Sequence, residues 1–135
     1  MKTEFTVSTL LPAVPEKVFR AWLSTEGHSS MTGSPAKVEP RVGGKFTAWD
    51  GYITGKTVEL KPYSKIVQAW RTTEFPDDSP DSRIEILLET AGKETKLTLI
   101  HTDIPDGQAE SYEGGWEDSY FKPMREYFSK QSKDL

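Results

Sequence analysis

Hydrophobic and polar residues change period several times along this chain. From Thr3 to Leu11 they alternate, with Phe5, Val7, Thr9 and Leu11 on one side and Glu4, Thr6 and Ser8 on the other, the period of a half-buried strand. Pro12 ends it. Pro15 then stands where a first helical residue often does, and Val18, Phe19, Trp22 and Leu23 follow at helical spacing, which predicts a helix of about ten residues. Ser24 or Thr25, with Glu26 just after, predicts a cap for a second short helix reaching about Met31.

Period two then returns, punctuated by turn residues. A strand runs from Gly44 to Trp49, Asp50-Gly51 favours a tight hairpin turn, and a second strand continues to Leu60. After a turn around Pro62 and Ser64, a third strand spans Lys65 to Phe75. Gly55 inside the second strand predicts a bulge that bends the sheet. PDDSPDS, from Pro76 to Ser82, reads as a mobile acidic loop. Two further strands, Arg83 to Thr90 and Glu94 to Asp103, join through Ala91 and Gly92. Pro105 and Asp106 open the last element.

That element, from Gln108 to Lys130, has the period of one long amphipathic helix. A residue every hundred degrees or so places Tyr112, Trp116, Tyr120, Met124, Tyr127 and Phe128 on one arc, with Asp118, Lys122, Arg125, Glu126 and Ser129 opposite. Burying each large side chain fully is worth roughly 1.5–3 kcal/mol, so the aromatic arc requires a wide apolar partner. Gly114 and Gly115 each cost roughly 1 kcal/mol in a helix interior, reflecting either a frayed first turn or a backbone left bare for close approach. Pro123 lacks a donor and crowds the carbonyl of Ser119, which predicts a kink there.

The element order predicts an α+β fold: a curved antiparallel sheet of about six strands gripping the long C-terminal helix, with two short helices after the first strand. Counting by twos assigns the sheet face under the helix to Phe46 and Ala48; Ile66, Gln68 and Trp70; Ile84, Ile86 and Leu88; and Leu97, Leu99 and His101. Gln68 and His101 stand out. A buried amide or imidazole without a partner costs about 1–3 kcal/mol, so both either bond to neighbouring protein groups or water, or line a cavity and face a ligand.

Composition narrows the function. The 135 residues fit a single domain over 1–135, and no run of about 18 apolar residues or unbroken apolar leader is present, which predicts a cytoplasmic protein without membrane insertion. The absence of cysteine removes disulfides and thiol chemistry. A net charge of −4 without a long basic cluster argues against nucleic acid as a partner. His101 and Asp103 share a strand face, the spacing of a general-base dyad, but no nucleophile context accompanies them. His28 has no metal-ligand spacing to His101, and Asp77, Asp78 and Asp81 lack the other oxygen ligands of a calcium loop. Neither a metal, a cofactor nor a catalytic residue is expected.

At GGKFTAWDGYITGKTVELKPYSKIVQAWR, and again at GGWEDSYFKPMREYF, the chain resembles the C-terminal domain of the activator of heat-shock protein 90 ATPase family. Gly43-Gly44-Lys45-Phe46, Asp50-Gly51 with Gly55, Pro62, Trp70-Arg71 and Gly115-Trp116 followed by Tyr120, Phe121 and Pro123 carry the resemblance. It implies the START-like helix-grip fold, with a cavity between sheet and helix where superfamily members hold sterols, lipids or aromatic molecules. Carried onto this chain, the implied ligand-binding residues are Phe46, Gln68, Trp70, Ile86, Leu99, His101, Trp116, Tyr120 and Met124, although Trp70 and Trp116 serve equally as core anchors. The two-domain co-chaperones of that family carry an N-terminal domain that makes a large part of the chaperone contact, whereas only Met1 and Lys2 precede the first strand here. The excess of inward aromatics beside Gln68 and His101 makes non-enzymatic binding of a small hydrophobic or aromatic molecule the expected function. The alternatives are a stress-related co-chaperone partnered with a heat-shock protein 90 type ATPase and, last, a cyclase- or hydrolase-type enzyme.

Overall fold

The computed structural model describes residues 3–133, in which the alternating segments form β1 (Phe5–Leu11), β2 (Lys37–Val38), β3 (Lys45–Ala48), β4 (Ile53–Lys61), β5 (Lys65–Thr72), β6 (Ser82–Ala91) and β7 (Glu94–Thr102). They make one antiparallel sheet in the order β1-β7-β6-β5-β4-β3-β2. The seventh strand, beyond the six that alternation predicts, is the two-residue β2 at the edge. Its brevity leaves no period to read. The sheet bends at a register shift between Thr57 and Glu59 of β4, which leaves Val58 bulged. The bulge therefore falls three residues beyond Gly55. Gly55 serves close packing instead, since a Cβ there would lie 2.0 Å from the Ala69 carbonyl oxygen and 2.6 Å from the Phe46 ring. Its bare backbone lets that ring lie across the strand.

Between β1 and β2 lie α1 (Pro15–Trp22) and α2 (Thr25–Thr32). Pro15 opens α1, which buries Val18, Phe19 and Trp22. Ser24 caps α2 by accepting the Gly27 amide at 3.0 Å, and Gly33 ends it at a φ of 79°. The segment from Pro76 to Ser82 is tied down by Arg71, which donates to the carbonyls of Pro76 and Ser79 and meets Asp81 at 2.9 Å, in place of the mobile loop that its composition predicts.

The last element is helical in three parts: α3 (Ala109–Gly115), a π-helical segment (Trp116–Phe121) and α4 (Lys122–Lys133). Pro123 has no N–H to offer the preceding turn. The chain widens ahead of it, and the Lys122 amide bonds the Glu117 carbonyl five residues back. The disturbance expected at Pro123 thus takes the form of a π segment. It slows the rotation of the helix, so Phe121 is turned inward next to Tyr120; they are 1% and 3% exposed. A straight helix would place Phe121 at the margin of the aromatic arc. Tyr112, Trp116, Tyr120, Phe121, Met124 and Phe128 join Ile84, Ile86, Leu97 and Leu99 in one core between helix and sheet.

Candidate functional site

Three pieces of chain leave a cavity of about 320 Å³ at one end of this core. The helix supplies Tyr112, Gly115, Trp116, Ser119 and Tyr120, the β3–β4 hairpin supplies Trp49, Tyr52 and Ile53, and β5 supplies Trp70. The hairpin closes through the Tyr52 amide on the Trp49 carbonyl at 3.1 Å, with Trp49, Asp50 and Gly51 all at positive φ. That left-handed turn bends Trp49 off the strand's alternation and towards the helix. Gly115 faces open space where a side chain would begin, so the bare helix backbone forms part of the wall.

Polar groups behind the walls are paired. His28 donates from Nδ1 to the Trp22 carbonyl at 2.9 Å, so Nε2 accepts the Tyr120 hydroxyl at 2.8 Å. Trp22 donates its indole N–H to Gln68 Oε1 at 3.1 Å, and Gln68 Nε2 donates to Thr57 Oγ1 at 3.2 Å. A second chain starts at Trp116, whose indole N–H donates to His101 Nδ1 at 3.1 Å; the opposite nitrogen donates to Ser82 Oγ at 2.9 Å, and Ser82 donates to the Trp70 carbonyl at 2.7 Å. Burial pushes His101 down to about 3, and pushes His28 down to about 4 against a smaller opposing effect of the Trp22 carbonyl. Both rings are neutral near pH 7. Burial likewise raises the Tyr120 hydroxyl.

A further polar group closes the mouth. Tyr112 donates to Gln108 Oε1 at 2.6 Å and contacts Thr72 Oγ1 at 2.7 Å, while Tyr52 donates to the Glu74 carboxylate. Burial, and then the bond to Glu74, push the Tyr52 hydroxyl up to about 12; burial raises Tyr112 as well. These phenols stay protonated at any physiological pH.

Of the nine residues expected to bind a ligand, Trp70, Trp116 and Tyr120 line the cavity. Phe46 lies over Gly55, and Ile86, Leu99 and Met124 are fully buried in the core. Gln68 and His101 are 1% and 0% exposed and bonded to protein on both polar atoms, so they brace the wall from behind. The dyad of His101 with Asp103 does not form: β7 ends at Thr102, and Asp103 turns to a φ of 61° and is exposed. Strict counting by twos continues the strand one residue too far. Trp49, Tyr52 and Ile53 escape the same count because the left-handed turn resets it; the density of aromatics flanking Asp50-Gly51 is the signal that marks them. Among the described residues no group of three or more His, Asp or Glu is arranged for a metal ion, and no helix is long and apolar enough to cross a membrane.

The sequence matches the model of one protein family, described as activator of Hsp90 ATPase homolog 1-like protein, over residues 12–129. It is 30% identical over 114 residues to the human activator of 90 kDa heat shock protein ATPase homolog 1, covering 84% of this chain and 33% of that protein. A homolog of the same activator from Dictyostelium discoideum is 30% identical over 134 residues, covering 98% of this chain and 33% of its own length. The chain thus spans about a third of the length of the curated relatives it matches. Among solved structures, an HSP90 activator from Plasmodium falciparum superposes with a TM-score of 0.82 at 26% identity, over 90% of this chain and 92% of that one.

Proposed function

Since the chain belongs to the activator of Hsp90 ATPase homolog 1-like family, we propose that it is a non-enzymatic cytoplasmic protein, one domain over residues 1–135, that holds a small hydrophobic or aromatic molecule between sheet and C-terminal helix. The observation that carries this reading is the cavity of about 320 Å³, in which six of nine lining residues are Trp or Tyr. Small-molecule sites occupy roughly 300–1,000 Å³ and are mostly apolar with a few placed polar groups. A volume at the lower end favours a compact one- or two-ring molecule over a long-chain lipid. A role without acid–base chemistry is supported by His28 and His101, which are neutral and bonded through both nitrogens.

A second reading, a co-chaperone acting on a heat-shock protein 90 type ATPase, is favoured by the Plasmodium falciparum HSP90 activator, whose chain is matched over nearly its whole length. Mass spectrometry of the freshly purified protein, under native and then denaturing conditions, tests the first reading. An adduct of a few hundred daltons that leaves on unfolding is the expected result. A bare mass, together with stimulation of a heat-shock protein 90 ATPase by the pure chain, would overturn it in favour of the second.

A further inference from the structure

The cavity wall is mostly aromatic and has a distinct electrostatic character. Three Trp and three Tyr line it, and no Lys or Arg does. The rings stand at differing angles: Trp70 crosses Tyr112 at 82° with centroids 5.1 Å apart, tilts 39° from Trp116 at 5.5 Å, and Trp116 tilts 48° from Tyr120 at 4.8 Å. Aromatic rings are negative on their faces and positive at their edges. Four of the six give their polar hydrogen to a protein acceptor: Trp116 to His101, Tyr120 to His28, Tyr112 to Gln108 and Tyr52 to Glu74. The positive ends of those four dipoles are thereby already engaged, whereas the indole N–H of Trp49, also buried, has no protein acceptor and remains a free donor of the wall. The formal charge bonded to the lining is the Glu74 carboxylate, through Tyr52, and Glu74 is exposed at the mouth.

We infer that the cavity binds an organic cation, an aromatic or compact alkyl ammonium compound, whose charged head is held against the ring faces of Trp70, Trp116 and the surrounding tyrosines with Glu74 at the entrance. This deepens the small-molecule reading above and rests on it. A quaternary ammonium is attracted to such faces within about 6 Å of a ring centroid, most strongly to Trp, because its charge is spread over methyl groups that desolvate readily. An anion would meet the same ring faces and the Glu74 carboxylate with repulsion. Nor do the histidines behind the wall oppose a cation, since both remain uncharged near neutral pH.

The test compares two probes of nearly one shape and different charge, phenyltrimethylammonium and tert-butylbenzene, titrated into the intact chain with tryptophan fluorescence and calorimetry as readouts. The cation is expected to bind about tenfold more tightly than its uncharged isostere. Glu74→Gln should weaken the cation a few-fold and leave the isostere unchanged. Gly115→Leu places a side chain in the open space at Gly115 without removing any core group, and should abolish binding of both. Equal affinity for the two probes, or tighter binding of tert-butylbenzene, overturns the cation inference while leaving the apolar-ligand reading standing. Binding of neither probe overturns both. Undiminished cation binding by a folded Gly115→Leu protein places the cation elsewhere and refutes this site.

Discussion

Two imidazoles buried without charge make this fold sensitive to mild acid. In the folded chain burial pushes His28 down to about 4 and His101 to about 3, whereas in the unfolded chain both titrate near 6.5. Between those values the unfolded state binds about two more protons than the folded state, so stability must fall as the pH falls. The contribution of the two neutral rings is fully present above the unfolded value and is lost as the pH drops towards the folded ones. At pH 5 both rings are still neutral in the fold, so the loss relative to pH 8 is set by the unfolded chain, at about 2 kcal/mol per histidine and about 4 kcal/mol together. That is a large share of the 5–15 kcal/mol typical of a folded domain. Glu117, held below the ordinary carboxylate range first by its hydrogen bond from Arg125, acts in the same direction but at lower pH. Urea unfolding at half-unit steps from pH 8 to 5 should show a slope approaching about 2.7 kcal/mol per pH unit below pH 6. His101→Gln, though less stable throughout, should halve that slope. A stability flat to within about 0.5 kcal/mol over the range, or a slope that His101→Gln leaves unchanged, would refute the assignment of neutral buried rings.

Further predictions concern packing and the ordered loop. Gly55→Ala should destabilise by about 3 kcal/mol, because the new methyl meets the Ala69 carbonyl and the Phe46 ring, while Gly114→Ala, exposed and with open space around its Cβ, should stabilise the helix by about 0.5–1 kcal/mol; thermal melts of the pair read both signs. Trp116→Ala should cost about 3–5 kcal/mol in chemical denaturation, since it removes a buried ring and leaves His101 Nδ1 without its donor. Arg71→Ala should change overall stability by no more than about 1 kcal/mol yet speed amide exchange across residues 76–82, which that guanidinium gathers.

Much of this architecture is local information. The alternation in β1 and in β3 to β7, the proline that opens α1, the serine that caps α2 and the aromatic arc of the last helix each follow from a repeat of two or 3.6 residues, and any chain with that repeat must place one face inward to bury it. The core under the helix, including Ile86, Leu99 and Met124, was legible for that reason. Two local rules conflict at Pro123, and the π segment resolves them by keeping the aromatic face continuous past a residue that cannot donate.

What only the tertiary structure decided is which buried residue faces a partner and which faces empty space. Gln68 has the same parity on β5 as the cavity residue Trp70, and His101 lies on the same sheet face; they brace the wall because Trp22, Thr57, Ser82 and Trp116, from other elements of the chain, satisfy them. His28 meets Tyr120 across 92 positions of sequence, a separation that no periodicity encodes. Trp49 and Tyr52 reach the cavity through a left-handed turn that inverts the strand's own rule. Periodicity determines which residues must leave water, because burial depends on a residue's own surface. Where a cavity remains depends on how separate segments fill the same volume, and that is settled only when they meet.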